Sequence, residues 1–231
     1  FDQCTPDSST RDEVQQIMAR TNRWLEQSIA YHQEFPMSRY GYLQALFGII
    51  QGGVYPDLRR ESAEFVLSMA IDGVAIGGET IGFDMAKTVE IIRWVHDLLP
   101  KDKPCYSMGV GMSPQDLLDV VAEGVDMFDC VLPTRSGRNG QAFTWDGPVN
   151  IRNAKYAEDL TPLDPASPAG QWSKAYLHHL VKAGEMLGAM LMTEHNLWFY
   201  QQLMAAMRDA IAQGEFATFA AEFRARYKKA G

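Results

Sequence analysis

The sequence predicts an α/β protein built on a parallel sheet, and three observations carry the prediction. Four short apolar segments recur before residue 133, helix-forming segments separate them, and three of the four end in glycine. The interval from one strand to the next, about 25 to 30 residues, suits half of a (β/α)8 barrel. An open doubly wound sheet has the same alternation, and spacing does not separate the two.

Taken in order, residues from Thr10 to about His32 place Val14, Ile17, Met18, Trp24, Leu25 and Ile29 at helical spacing. The apolar run at 45–50 stops at Gln51-Gly52-Gly53, as a buried strand entering a loop does. A helix over about 57–70 follows, then a strand at 73–78, a helix over roughly 85–98 and a strand at 106–111. A helix over about 114–122 and a fourth strand at 127–132 complete the series. Beyond it, residues 141–151 read as a hairpin turning at Asp146-Gly147. Residues 161–170 are a Pro/Ala/Ser loop, and three helical segments run from about Trp172, broken at Gly188 and near Gly214. The expected organisation is an α/β domain with an inserted hairpin over 1–160 and a helical subdomain over 161–231.

Composition bounds the function. A chain of 231 residues, 46% hydrophobic and 22% charged, can bury a sizeable core. The net charge of -8 argues against a general nucleic-acid coat protein but says nothing of a local basic patch. Two islands run against it. Between Pro133 and Lys155 stand Arg135, Arg138, Arg152 and Lys155 against Asp146 alone, and between Phe219 and Ala230 stand Arg224, Arg226, Lys228 and Lys229 against Glu222. Each nets +3 and suits phosphate contacts, although a solvated face is the commoner outcome. Cys4, Cys105 and Cys130 are too few and too scattered for a disulfide framework, which favours a reducing, cytoplasmic setting. No run of about 18 apolar residues marks a membrane span. The opening at Phe1-Asp2, without Met, leads us to expect part of a longer polypeptide.

The chemistry concentrates at the strand ends. Gln51-Gly52-Gly53, Gly77-Gly78-Glu79 and Gly109-Val110-Gly111 would open on one rim, where glycines let a flat ligand approach backbone amides and carbonyls. Ordinary turn glycines are the plain alternative. Asp129 is sharper, since it interrupts the apolar Met-Phe-Asp-Cys-Val-Leu run, and a carboxylate there is costly unless paired or given a task. Facing a pocket, it could attack an electrophilic carbon, as carboxylates do in retaining glycoside chemistry; otherwise it caps the following loop. His178 and His179, on an amphipathic segment with Tyr176, read as packing and surface residues.

These segments together resemble a known family. Phe47-Gly-Ile-Ile-Gln-Gly-Gly53, Ile76-Gly-Gly78, Met108-Gly-Val-Gly111, the run from Phe128 to Gly140, Asn150-Ile-Arg-Asn153 and Thr193-Glu-His-Asn196 are similar to the tRNA-guanine transglycosylases, or queuine tRNA-ribosyltransferases. The similarity covers nearly the whole chain. It implies the second half of a (β/α)8 TIM barrel with a helical subdomain. The implied reaction exchanges guanine at the wobble position (34) of tRNAs with GUN anticodons for a small 7-deazaguanine base. Asp129 would attack ribose C1′ to give a covalent ribosyl-enzyme, with a flipped-out nucleotide in a glycine-lined slot. By match, Asp2 and Gln51 read the purine edge, the backbone of Gly78 and Glu79 adds hydrogen bonds, Met108 packs on the ring, and Cys4 lies at the pocket side. Arg135 and Arg138, with the basic Arg152 and Lys155 nearby, would hold tRNA. Homodimers are common in the family, and no cofactor is needed for its chemistry.

Three departures stand out. Bacterial members usually carry Gly-Gly-Leu-Ala-Val-Gly where this chain has Gly77-Gly78-Glu79-Thr80-Ile81-Gly82. Ile81 stands where queuine-using eukaryotic members place glycine, so preQ1 is the expected base. The family's structural zinc is held by Cys-x-Cys-x-x-Cys and a distant histidine. His195 matches the histidine, but residues 165–171 read Pro-Ala-Ser-Pro-Ala-Gly-Gln, and one histidine cannot close a tetrahedral site. The family's first barrel strands and its second catalytic aspartate would lie upstream of Phe1. A non-catalytic tRNA-binding partner subunit is the alternative function, which the presence of Asp129, Gln51 and Asp2 disfavours.

Overall fold

A computed structural model describes residues 1–78 and 80–227. They divide into two compact units, one of Phe1–Gly111 with Asp119–Asp129, the other of Met112–Leu118 with the residues from Cys130 onward.

The first unit opens with α1 (Arg11–Glu34), which starts where Thr10 and Glu13 cap each other reciprocally. Its buried face is Val14, Ile17, Met18, Thr21, Leu25 and Ile29, the expected stripe except that Trp24 faces outward. Then β1 (Phe47–Ile50), α2 (Pro56–Leu67), β2 (Gly73–Ile76), α3 (Met85–Val95), β3 (Cys105–Ser107) and β4 (Met127–Phe128) follow in the predicted alternation, and α4 (Pro114–Val121), between β3 and β4 in the chain, is divided between the two units at Leu118. The sheet is parallel in the order β1-β2-β3-β4, with Ile50 opposite Ile76 and Ser107 opposite Phe128. Every residue of β2 is buried, which explains why it reads as a continuous apolar run rather than an alternation. Leu58, Ala63 and Val66 of α2 and Ile91, Ile92 and Val95 of α3 are buried with it.

The fourth strand is shorter than expected. It stops at Phe128, and the residues read as its continuation and as a basic loop begin α5 (Leu132–Arg138), with proline tolerated in the first turn. In the second unit β5 (Gln141–Thr144) and β6 (Gly147–Asn150) form the predicted hairpin. Thr144 pairs with Gly147, so the two turn residues are Trp145-Asp146 rather than Asp146-Gly147. Two 3-10 turns follow, at Ala154–Tyr156 and Pro168–Gln171, and then α6 (Lys174–Ala183), α7 (Met186–Ala212) and α8 (Phe216–Tyr227).

The first helix break falls at Gly184, in the left-handed region at φ 75°, and not at Gly188. Gly188 continues α7 because a Cβ there would lie 3.0 Å from Leu180 Cβ: it is a close-packing glycine. Ala142, Ile151, Leu177 and Met192 centre the core of this unit. No helix among the described residues is long and apolar enough to cross a membrane.

Candidate active site

Parallel pairing puts the carboxyl ends of all four strands on one edge of the sheet, and Gln51, Gly78, Met108 and Asp129 follow from them, whereas Asp2 and Cys4 lie in the irregular segment before α1. After β1, Gln51 is buried. Its Nε2 donates to Asp2 Oδ2 at 2.7 Å, its Oε1 accepts from Thr5 Oγ1 at 3.4 Å, and its main-chain N–H donates to Ser62 Oγ at 3.0 Å. The amide is therefore held in one orientation, with Asp2 beside it. Gly52 is required here, since at φ 126° a Cβ would lie 2.6 Å from the Arg59 backbone nitrogen. After β2, Gly78 is half-buried at φ 129°, and Thr80 donates to Asp7. Glu79 lies outside the described residues. Cys4 is exposed and close enough to Arg59 to interact electrostatically. Met108 is half-buried directly after β3.

Asp129 follows β4. Sequence reasoning expected a buried carboxylate; the strand ends one residue earlier, and Asp129 is exposed. It is nonetheless held. The Tyr106 hydroxyl donates to Oδ1 at 2.6 Å, and the Gly109 N–H donates to the same oxygen at 3.2 Å. Both donors converge on one oxygen, leaving Oδ2 without a hydrogen-bond partner among the described residues. Burial, and then donation to Asp129, push the Tyr106 hydroxyl up to about 12, so it stays a donor across the physiological range. Tyr106 was missed because a tyrosine in a short apolar strand reads as core. The available signal was its neighbouring strand: Tyr106 pairs with Met127, two residues before Asp129.

The cations of the first basic island lie in the second unit. Arg135 and Arg138 are exposed on α5, where cations in the last turn complement the helix dipole. Arg152 is exposed and its Nε donates to the Asn139 carbonyl at 3.1 Å, which brings it to the end of the same helix. Lys155 is exposed over the Tyr156 ring. In the second island Arg226 pairs with Asp146, while Lys228 and Lys229 lie outside the described residues.

The residues around His195 do not fit a zinc. His195 is fully buried, and its ring Nε2 faces the Phe143 carbonyl at 2.9 Å. A carbonyl only accepts, so Nε2 carries the proton; Nδ1 has no hydrogen-bond partner among the described residues. Asn196 beside it donates to the carbonyls of Pro133 and Gln141 and accepts from the Phe143 N–H, so the pair ties α7 to the hairpin. No three His, Cys, Asp or Glu side chains among the described residues are grouped to hold a metal ion. Residues 164–172 carry local turns, in which Asp164 Oδ1 accepts from Ala166 N–H, Ser167 O from Gly170 N–H and Ala169 O from Trp172 N–H, while Ser167 Oγ and Trp172 Nε1 are buried without a hydrogen-bond partner among the described residues.

Comparison with known proteins agrees with the arrangement of these segments. The family model described as queuine tRNA-ribosyltransferase matches residues 1–229. The chain is 51% identical over 231 residues to the queuine tRNA-ribosyltransferase of Zymomonas mobilis, covering 98% of this chain and 59% of that protein. It is 52% identical to that of Sphingopyxis alaskensis, covering 100% of this chain and 61% of that protein. With that of Rickettsia bellii it shares 51% identity over 93% of this chain and 58% of that protein. The chain thus spans about three-fifths of the length of these curated relatives. It belongs to the queuine tRNA-ribosyltransferase family.

Proposed function

We propose that this chain supplies the nucleophile, the purine-reading wall and a tRNA-binding surface of a tRNA-guanine transglycosylase. The substrate is tRNA carrying guanine at position 34, and the incoming base is preQ1. The observation that carries the reading is Asp129, gripped through Oδ1 by Tyr106 and Gly109 with Oδ2 left to react. Oδ2 attacks ribose C1′, forming a C1′–O bond as the C1′–N9 bond breaks, and the electron pair leaves with guanine, which takes up one proton. The incoming base then displaces the carboxylate from C1′ and loses a proton. Gln51, oriented by Asp2 and Thr5, and the backbone at Gly78 read the purine edge, so a base that leaves them unpaired is rejected. Arg135, Arg138, Arg152 and Lys155 hold phosphates of the tRNA.

The parallel sheet belongs, on this reading, to a (β/α)8 barrel. Doubly wound sheets reverse strand order at a switch point, whereas four consecutive strands here stand in sequence order, which supports barrel winding. The absence of cysteine from segment 164–172, where the family places its ligands, supports a helical part that folds without zinc. Trapping tests the chemistry. Protein incubated with wobble-G tRNA and quenched in denaturant should give a covalent protein–RNA species that peptide mass spectrometry places on Asp129. An adduct on another residue, or no adduct under turnover, refutes the assignment.

A further inference from the structure

Arg59, on α2, is 1% exposed and carries its charge into the strand ends. Its Nε donates to the Gly53 carbonyl at 2.7 Å; Nη1 donates to the Gly77 carbonyl at 2.6 Å and to the Ile50 carbonyl at 3.3 Å. Ile50 and Gly53 bracket Gln51, and Gly77 precedes Gly78. The same guanidinium fills the space at Gly78, where a Cβ would sit 2.6 Å from Nη2. Burial pulls the guanidinium down to about 10, with Asp7 and Cys4 opposing the shift, so it remains cationic at neutral pH. A buried cation is expensive, and an apolar side chain would seat α2 against the sheet without that penalty. What an apolar residue could not do is join the loop after β1 to the loop after β2 through a rigid fork of donors.

We infer that Arg59 is a positioning residue that sets purine specificity, fixing the spacing between the Gln51 amide and the Gly78 backbone. The inference rests on the proposed role of these two residues in reading the base. It requires purine discrimination, and not only stability, to depend on Arg59.

The test compares purified wild-type protein with Arg59→Lys and Arg59→Gln. Exchange of labelled guanine and labelled hypoxanthine into wobble-G tRNA is measured, with Tm and the Kd for tRNA alongside. Arg59→Lys keeps the charge but cannot bond three carbonyls in the same geometry. It should raise KM for guanine about tenfold at nearly unchanged kcat, cut the preference for guanine over hypoxanthine by about the same factor, and leave tRNA affinity unchanged. Arg59→Gln should do more of the same. Wild-type KM and discrimination in Arg59→Lys overturn the inference alone. So does a loss of kcat that tracks a fall in Tm with KM unmoved, or failure of both variants to fold, since each assigns Arg59 to packing. A wild-type protein that exchanges no guanine overturns the site reading, and this inference with it.

Discussion

Replacing Tyr106 by Phe removes one hydroxyl from the candidate site and little else. The hydroxyl lies 2.6 Å from Asp129 Oδ1, and the phenyl ring keeps the packing of a half-buried strand position. A hydrogen bond to a charged acceptor is worth about 1.5–3 kcal/mol. Asp129 is exposed, so water replaces the lost donor and the lower end applies, about 1.5 kcal/mol. The Gly109 N–H at 3.2 Å then remains as the one donor to that oxygen among the described residues, and a single bond leaves the carboxylate free to turn about it. Nucleophilicity is not recovered, because solvent occupies the vacated acceptor site; orientation is what is lost. The expected result is a kcat for guanine exchange reduced about tenfold, with KM for guanine and Tm little changed. Wild-type activity should also show no alkaline fall from this donor below about pH 11, since Tyr106 titrates near 12. Steady-state exchange kinetics with labelled guanine decide the matter. A Tyr106→Phe enzyme with wild-type kcat, or one altered only in KM, refutes the proposed orientation of Asp129.

Other outcomes follow from the same geometry. The double variant Arg135→Ala/Arg138→Ala should weaken tRNA binding and lower the slope of log K against log salt by about 1.5–2, with KM for free guanine unmoved, as salt-titrated filter binding would register. Burial lowers the His195 pKa, so protonating it costs stability: Tm should hold above about pH 6.5 and fall below it. His195→Phe should flatten that limb while losing about 1–3 kcal/mol from the unpaired Phe143 carbonyl. Chelators should leave the wild-type Tm unchanged; a drop accompanied by release of stoichiometric zinc would contradict the metal-free reading. Ile81 is buried, and in kcat/KM the protein should prefer preQ1 over queuine by at least about 100-fold. Comparable turnover of the two bases would remove Ile81 from specificity.

The sequence was most legible where one physical signal dominated. Apolar periodicity located the four parallel strands and the helices between them, and Thr10 marked the start of α1. It misled where glycine and proline serve packing rather than chain breaking. Pro133 and Gly137 made α5 look like a loop, yet proline suits its first turn, and Gly137 is there because a Cβ would lie 2.8 Å from the Thr193 backbone. Gly188 misled for the same reason. Single positions do not declare which tertiary neighbour they must admit. At the site, Gln51 and Asp2 were found as a pair that the structure joins, whereas Tyr106 and Arg59 were not found. Their roles rest on partners 23 and 18 residues away, and only the strand register brings these within reach.

The central claim is that Asp129 is the nucleophile of a base exchange, and one measurement bears on it most directly. Labelled guanine is offered to tRNA bearing guanine at the wobble position, with wild-type protein, Asp129→Asn and Asp129→Ala in parallel. The prediction is incorporation of label by wild type and none above background by either variant, with tRNA affinity retained in all three. Equal incorporation by wild type and Asp129→Asn would contradict it.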